Sequence, residues 1–302
     1  MFEVCADRSL WGGLNNPALA VAEADVVILG VPFDGAVSYR KGASQGPARV
    51  RDVSYHIPPT TEDGELLTGI RVLDLGDVEV GGLSQQAYFS KVEAAAVELF
   101  GRTLPFFLGG DHSITIPILK AASRVYQGPI GIIHLDAHLD LCEELEGNSL
   151  SHGCTHRRAI EFPNIELENI HFVGIRSFEV QELEFLKDKW PNIYTAREVH
   201  RRGVEQVAQE ICEKLELVKH VYITLDIDFL EPGLAPGTGT PKAGGFTSRD
   251  MLEFLRAFAR LPLIGMDVVE VAPPLDSGDV TSFVAQRAIT EMWGYRFLPG
   301  EV

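Results

Sequence analysis

Residues 24–31, Ala-Asp-Val-Val-Ile-Leu-Gly-Val, form an almost unbroken apolar run. A strand with one wet face alternates polar and apolar side chains, so a continuous run implies a strand covered on both faces, as in a parallel sheet between helices. Comparable runs recur at 70–75, 104–108, 129–133, 169–175, 220–225 and 261–269. Between them, helices are predicted at 48–55, 84–100, 114–123, 203–217, 247–260 and 281–295, from helical spacing of apolar positions and from start signals. Pro47 suits the first turn of the first helix, and Thr247-Ser-Arg-Asp250 reads as the capping box of the fifth. Strands and helices alternate from end to end, so an α/β fold with right-handed crossovers is expected. No linker, low-complexity segment or internal repeat interrupts the pattern, and residues 1–302 are read as a single domain.

The bulk properties exclude several function classes. A net charge of −17 repels phosphate backbones, so no nucleic acid partner is expected; cationic ligands are tolerated instead. No run of about 18 apolar residues occurs, so no membrane span is expected. The stretch 1–11 carries Glu3, Asp7 and Arg8 and lacks the apolar core of a signal peptide, which points to a cytoplasmic protein. Cys5, Cys142, Cys154 and Cys212 show no Cys-x-x-Cys spacing and are read as free thiols. Cys154 lacks an accompanying base-orienting pattern and is read as a packed thiol rather than a nucleophile.

Three clusters of acidic and histidine residues directly follow predicted strands: Asp111-His112, the stretch His134-Leu-Asp-Ala-His-Leu-Asp140, and Asp226-Ile-Asp228. Extended alternation would send Asp136, His138 and Asp140 to one side, with His134 on the same alternation. In an open parallel sheet the carboxyl ends of the strands share one edge, where ligands bind, so the three clusters are expected to converge. Like charges gathered beside a core are costly to desolvate unless cations join them. Four carboxylates (Asp136, Asp140, Asp226, Asp228) with His112 and His138 exceed one tetrahedral zinc site; they suit two divalent ions, with manganese the natural candidate. Water held between two such ions is a strong nucleophile near neutral pH, so hydrolysis is the expected reaction class. A phosphoesterase would want Arg or Lys beside these clusters, and none is adjacent. Glu270, after the last strand, is surplus to metal binding; a cationic, planar guanidinium substrate is its natural partner.

Taken together the segments resemble the ureohydrolase family of arginases and agmatinases. The matching stretches are Gly30-Val-Pro-Phe-Asp-Gly35, Gly46-Pro47, Gly109-Gly-Asp-His-Ser113, Asp136-Ala-His-Leu-Asp140, Ser151-His-Gly153, Thr224-Leu-Asp-Ile-Asp228, Ala235-Pro-Gly-Thr-Gly-Thr-Pro241 and Asp267-Val-Val-Glu-Val-Ala-Pro-Pro274. The resemblance implies a three-layer α/β/α sandwich on a central, mostly parallel sheet, two Mn2+ per chain, and cleavage of a guanidino compound to urea and an amine. It implies His112 and Asp140 on one manganese, His138 and Asp228 on the other, and Asp136 and Asp226 bridging. Asp140 is also implied in passing a proton to the leaving amine, His152 in proton shuttling and Glu270 in anchoring the guanidinium. His134 receives no ligand role and is read as a packed or hydrogen-bonded strand residue.

The resemblance leans towards agmatinase-like members, with agmatine giving putrescine and urea as the leading reaction. Guanidinobutyrate, guanidinopropionate, arginine and guanidine are the alternatives. A mononuclear zinc deacetylase-like hydrolase and a non-catalytic partner subunit of the same fold are weaker alternatives, because all six ligand positions and Glu270 are intact. Glu143, Glu144 and Glu146 could attract an ammonium group or form a solvated face. Cys154-Thr-His156 and Lys242 depart from the family pattern, and both are expected to line the entrance. A homo-oligomer, trimer or hexamer, is implied by the resemblance alone.

Overall fold

The computed structural model describes residues 4–187, 189 and 191–298; the first three residues of the N-terminal stretch and the last four of the chain lie outside the described residues. Eight strands form one sheet: β1 (Val26–Val31), β2 (Val72–Asp77), β3 (Leu104–Gly109), β4 (Ile130–Leu135), β5 (Ile170–Ile175), β6 (Asn192–Thr195), β7 (His220–Asp226) and β8 (Leu263–Val269). Their order is β2-β1-β3-β8-β7-β4-β5-β6, and every pairing is parallel. Seven strands fall where the apolar runs predict them. β6 does not, because Asn192-Ile-Tyr-Thr195 is a four-residue edge strand with no run long enough to read.

Alternation within strands sends side chains to two separate cores. Val26, Ile28, Ile133, Leu135, Ile223 and Leu225 pack on one face with the helices Gly46–Ser54, Val204–Lys214, Ser248–Phe258 and Val280–Phe297. Val27, Leu29, Ile130, Ile132 and Tyr222 pack on the other with Gln85–Leu99 and Thr115–Val125. The result is helix, sheet, helix: three layers with the sheet buried on both sides, as continuous apolar strands require. The expected capping box is present, with Thr247 N–H donating to Asp250 at 2.9 Å and Asp250 N–H donating to Thr247 Oγ1 at 3.1 Å. Short helices at Val180–Leu186 and Ala196–Arg202, unread in the sequence, flank β6. Among the described residues no helix is long and apolar enough to cross a membrane.

The topology places the site. β3, β8, β7 and β4 are the four middle strands, and each ends at one of the sequence clusters: His112, Glu270, Asp226–Asp228 and Asp136–Asp140. From β4 the chain moves outward to β5 and β6, whereas from the adjacent β7 it moves the other way to β8, so the order reverses at the carboxyl edge between these middle strands, where a crevice opens.

Candidate metal centre

Each candidate ligand is delivered by a tight turn at a strand end. After β3, Asp111 caps a short 3-10 turn by accepting from the Ser113 amide at 3.0 Å and from the Ser113 hydroxyl. Its second oxygen accepts from the Ala36 amide at 2.9 Å and so ties the loop after β1 to the site. A Cβ at Gly110 would lie 1.8 Å from the Phe33 carbonyl oxygen, so this close approach needs glycine. Burial, with the Glu270 charge nearby, pushes the Asp111 carboxyl up to about 7.

The stretch after β4 converges by turns, not by the extended alternation predicted for it. The strand stops at Leu135; Asp136 then accepts the His138 amide at 2.6 Å, and Asp140 adopts a left-handed conformation (φ 55°). A non-glycine residue held there is strained by roughly 1–2 kcal/mol, and such strain gathers at sites that need a particular side-chain direction. After β7 the same device recurs, with Asp226 accepting the Asp228 amide at 2.8 Å. Asp228 in turn accepts the Ala137 amide at 3.1 Å, which locks the two turns together.

The predicted donors meet. His112 Nδ1 lies 3.1 Å from Asp136 Oδ2, 3.0 Å from Asp140 Oδ2 and 3.4 Å from Asp226 Oδ2. His138 Nδ1 lies 3.1 Å from Asp228 Oδ2 and 3.4 Å from Asp136 Oδ1. The two groups therefore share Asp136, one oxygen each. His112 Nδ1, Asp136 Oδ2 and Asp228 Oδ2 are buried and face their neighbours without hydrogen-bond geometry. Lone pairs aimed at common points are what a cation site presents, and the donor set fits divalent ions.

Electrostatics lead to the same conclusion. Burial opposes charge on His112 and His138, yet the surrounding carboxylates raise both imidazoles well above their ordinary value. Burial, Asp228 and Asp136 raise Asp226 well above the carboxylate range, and burial and Asp136 raise Asp228. Burial also penalises a charged Asp136, but His134, His112 and His138 hold it well below that range. A cage of this composition thus favours added positive charge.

Behind the ligands lie supports the sequence did not announce. His112 Nε2 lies 2.8 Å from Thr224 Oγ1, which donates to Asp267 at 2.6 Å; Thr115 and Tyr222 hydroxyls each donate to the same carboxylate at 2.8 Å. A carboxylate reached through a hydroxyl fixes the tautomer and ring orientation of a ligating histidine. His134 is buried in β4, as expected, with Nε2 at 2.8 Å from the His138 carbonyl and Nδ1 at 2.7 Å from His156 Nε2. Burial lowers both of these imidazoles below their ordinary value.

Glu270 follows β8 in a left-handed conformation (φ 62°), and its Oε1 accepts from the His112 amide at 2.9 Å and meets His152 Nδ1 at 2.9 Å. Ser38 faces the other ring nitrogen: its hydroxyl at 2.9 Å can accept from a protonated Nε2, and its amide at 3.1 Å can donate to a bare one. Burial works against a charged ring, but Glu270 raises His152 to about 9.

A cleft opens over this centre, with His112, His138, Asp140, Asp226 and His152 in its floor. Its outer wall contains Cys142, Leu145, Ser177, Glu179, Glu182, Thr240 and Lys242. Lys242 thus lines the entrance as expected, but Cys154 and His156 are fully buried, because the 3-10 turn and short helix that carry them pack inward, His156 against His134 of β4 and Phe172 of β5. Glu143, Glu144 and Glu146 are exposed and lie outside the cleft wall; Glu143 pairs with Arg157 and Arg158, so the solvated-face reading holds. The acidic side chains in the outer wall of the cleft, Glu179 and Glu182, belong to the unread helix Val180–Leu186 and its N-cap. The four cysteines are free.

Such a cage at the carboxyl edge of a three-layer parallel α/β sheet defines a class of metal-dependent hydrolases. This chain belongs to the arginase family, whose model matches residues 24–294. It is 38% identical over 275 residues to an agmatinase of Bacillus anthracis, covering 89% of this chain and 91% of that one. It is 33% identical over 283 residues to a guanidinobutyrase of Pseudomonas aeruginosa, covering 92% and 88%. Among solved structures it is similar to the proclavaminate amidino hydrolase of Streptomyces clavuligerus, with a TM-score of 0.84, 33% identity and coverage of 90% and 92%. The chain is a ureohydrolase-type enzyme acting on linear amidine C–N bonds.

Proposed function

We propose that this enzyme is a binuclear manganese ureohydrolase whose leading substrate is agmatine, cleaved to urea and putrescine. The observation that supports it most is the pair of donor groups sharing Asp136 at the centre of the sheet edge. His112, Asp136, Asp140 and Asp226 would hold one ion, and His138 and Asp228, with Asp136 and Asp226, the other. Bound there, two divalent ions supply Lewis acidity that makes water a competent nucleophile near neutral pH.

The remaining chemistry belongs to side chains. Glu270 Oε2, which accepts no hydrogen bond from a described residue, receives guanidinium N–H groups, while Oε1 stays with His152 and the His112 amide. Asp140 Oδ1, likewise without a donor, takes the proton released on attack and delivers it to the departing amine nitrogen. His152 exchanges a proton with the cleft through Nε2, since Ser38 can complement either state of that nitrogen. Burial of His112, Asp136, Asp140, Asp226 and Asp228 keeps bulk water from the centre.

A second substrate reading, a guanidino acid, is favoured by the Lys242 ammonium in the cleft wall. With manganese loaded, urea release is to be measured from agmatine, arginine, guanidinobutyrate, guanidinopropionate and guanidine, and formamide release from formiminoglutamate. Agmatine should give the highest kcat/KM; inactivity on all six would overturn the proposal. Light scattering checks the homo-oligomer, trimer or hexamer, that goes with it.

A further inference from the structure

The ligands and Glu270 account for the guanidino end of a substrate, but not for the far end that distinguishes one guanidino compound from another. That end must lie along the outer wall, where one basic and two acidic side chains occur: Lys242, Glu179 and Glu182. Glu182 is buried, and both its oxygens are taken by backbone amides, Leu141 at 2.9 Å and Glu179 at 2.8 Å. Arg176 stands behind the wall, but its guanidinium donates to the carbonyls of Gly174, Asp228, Leu230 and Lys242. The charges left to meet a ligand are one of each sign, Glu179 and Lys242. Neither is in an ion pair among the described residues.

Both are carried on firmly held backbone. The loop bearing Lys242 is tied through its own carbonyl to Arg176 (2.8 Å to Nη2), through Gly244 and Gly245 amides to Glu231 (2.8 and 2.7 Å), and through the Gly239 carbonyl to Arg40 (3.0 Å). The segment leading to Glu179 is tied to the metal-ligand turn, with the Arg176 and Ser177 amides donating to the Ala137 carbonyl at 2.9 and 3.0 Å. The backbone that carries each charge is therefore held against the wall of the cleft, which is what a reader of substrate length and charge requires.

We propose that Lys242 and Glu179 form the specificity element for the distal group of the substrate, Lys242 favouring guanidino compounds that end in a carboxylate and Glu179 those that end in an ammonium. This rests on the guanidino-hydrolase reading above. Discrimination by such a pair is a difference of two affinities, and includes repulsion of the wrong charge as well as attraction of the right one. A long-range charge contribution is also screened by salt.

The test uses agmatine and guanidinobutyrate, near-isosteric compounds of opposite distal charge, on the manganese-loaded full chain. The readout is the ratio of their kcat/KM values, or of Ki where one binds without turnover. Lys242→Glu should raise the agmatine-to-guanidinobutyrate ratio about tenfold or more, and Lys242→Gln by a smaller factor in the same direction. Glu179→Gln should lower it, and raised salt should shrink all three shifts. A ratio that stays within about twofold in both Lys242 variants, or an equal fall for both compounds, overturns the inference while leaving the ureohydrolase reading intact. Wild-type inactivity towards every guanidino compound overturns both.

Discussion

His152 Nδ1 lies 2.9 Å from Glu270 Oε1, an oxygen that also accepts the His112 amide. One carboxylate thus touches the proposed shuttle and the backbone of a proposed ligand without being a ligand itself. Glu270→Gln should lower kcat/KM by about a hundredfold or more, because it removes the charge facing the guanidinium. Metal content by atomic emission should be unchanged; loss of metal would show that Glu270 acts through His112 instead.

The same pair makes a statement about pH. Glu270 raises His152 to about 9 in the folded chain from an ordinary 6.5, against the effect of burial. A raised histidine contributes stability that is fully present below the unfolded value, declines as pH climbs from 6.5, and is gone above about 9. The urea midpoint of the metal-free protein should therefore fall over this window, and His152→Gln should flatten that part of the profile. A parallel decline in the variant would exclude the pair as its cause.

Asp136 serves both donor groups, whereas Asp228 serves one. Asp136→Asn should weaken binding at both positions, and Asp228→Asn only at the His138 position. Manganese titration followed calorimetrically distinguishes them: two sites lost or weakened in the first variant, one in the second. Identical isotherms would contradict the division.

Asp267 touches no expected ion, yet three hydroxyls converge on it and one of them leads to His112. Asp267→Asn should reduce metal affinity about 10- to 100-fold, as loss of a ligand-orienting carboxylate does elsewhere. Equilibrium dialysis at graded manganese checks it, with circular dichroism to verify that the fold persists.

The sequence made the middle of this molecule readable because two strong patterns coincide there. Continuous apolar runs mark buried parallel strands, and the side chains that follow them, His112, Asp136, His138, Asp140, Asp226 and Asp228, have few other reasons to cluster. The geometry of convergence was not readable: Asp140 reaches its partners from a left-handed backbone that no residue-type preference reveals. Ser38 was invisible for another reason, since its position depends on Asp111 drawing the β1 loop across the site. Glu179 and Glu182 were missed because the helix carrying them is only seven residues long and lies beside the shortest strand. The Glu143–Glu146 stretch attracted attention in their place, because a charge run is conspicuous whether or not it faces anything.

The strand order has a consequence for how the protein breathes. β2 and β6 each pair with a single strand, although the segment from Cys5 to Asn16 also bonds the outer edge of β2, and sheets open from such edges. Fraying from one side must release β2 and β1 before it reaches β3, and from the other β6 and β5 before it reaches β4. The residues that gather charge in the interior are thus shielded by two strands on either flank. Thermal fluctuation can loosen the margins of the sheet while the cage keeps its shape, and the amides of β7 and β8 should be the last to exchange with deuterium.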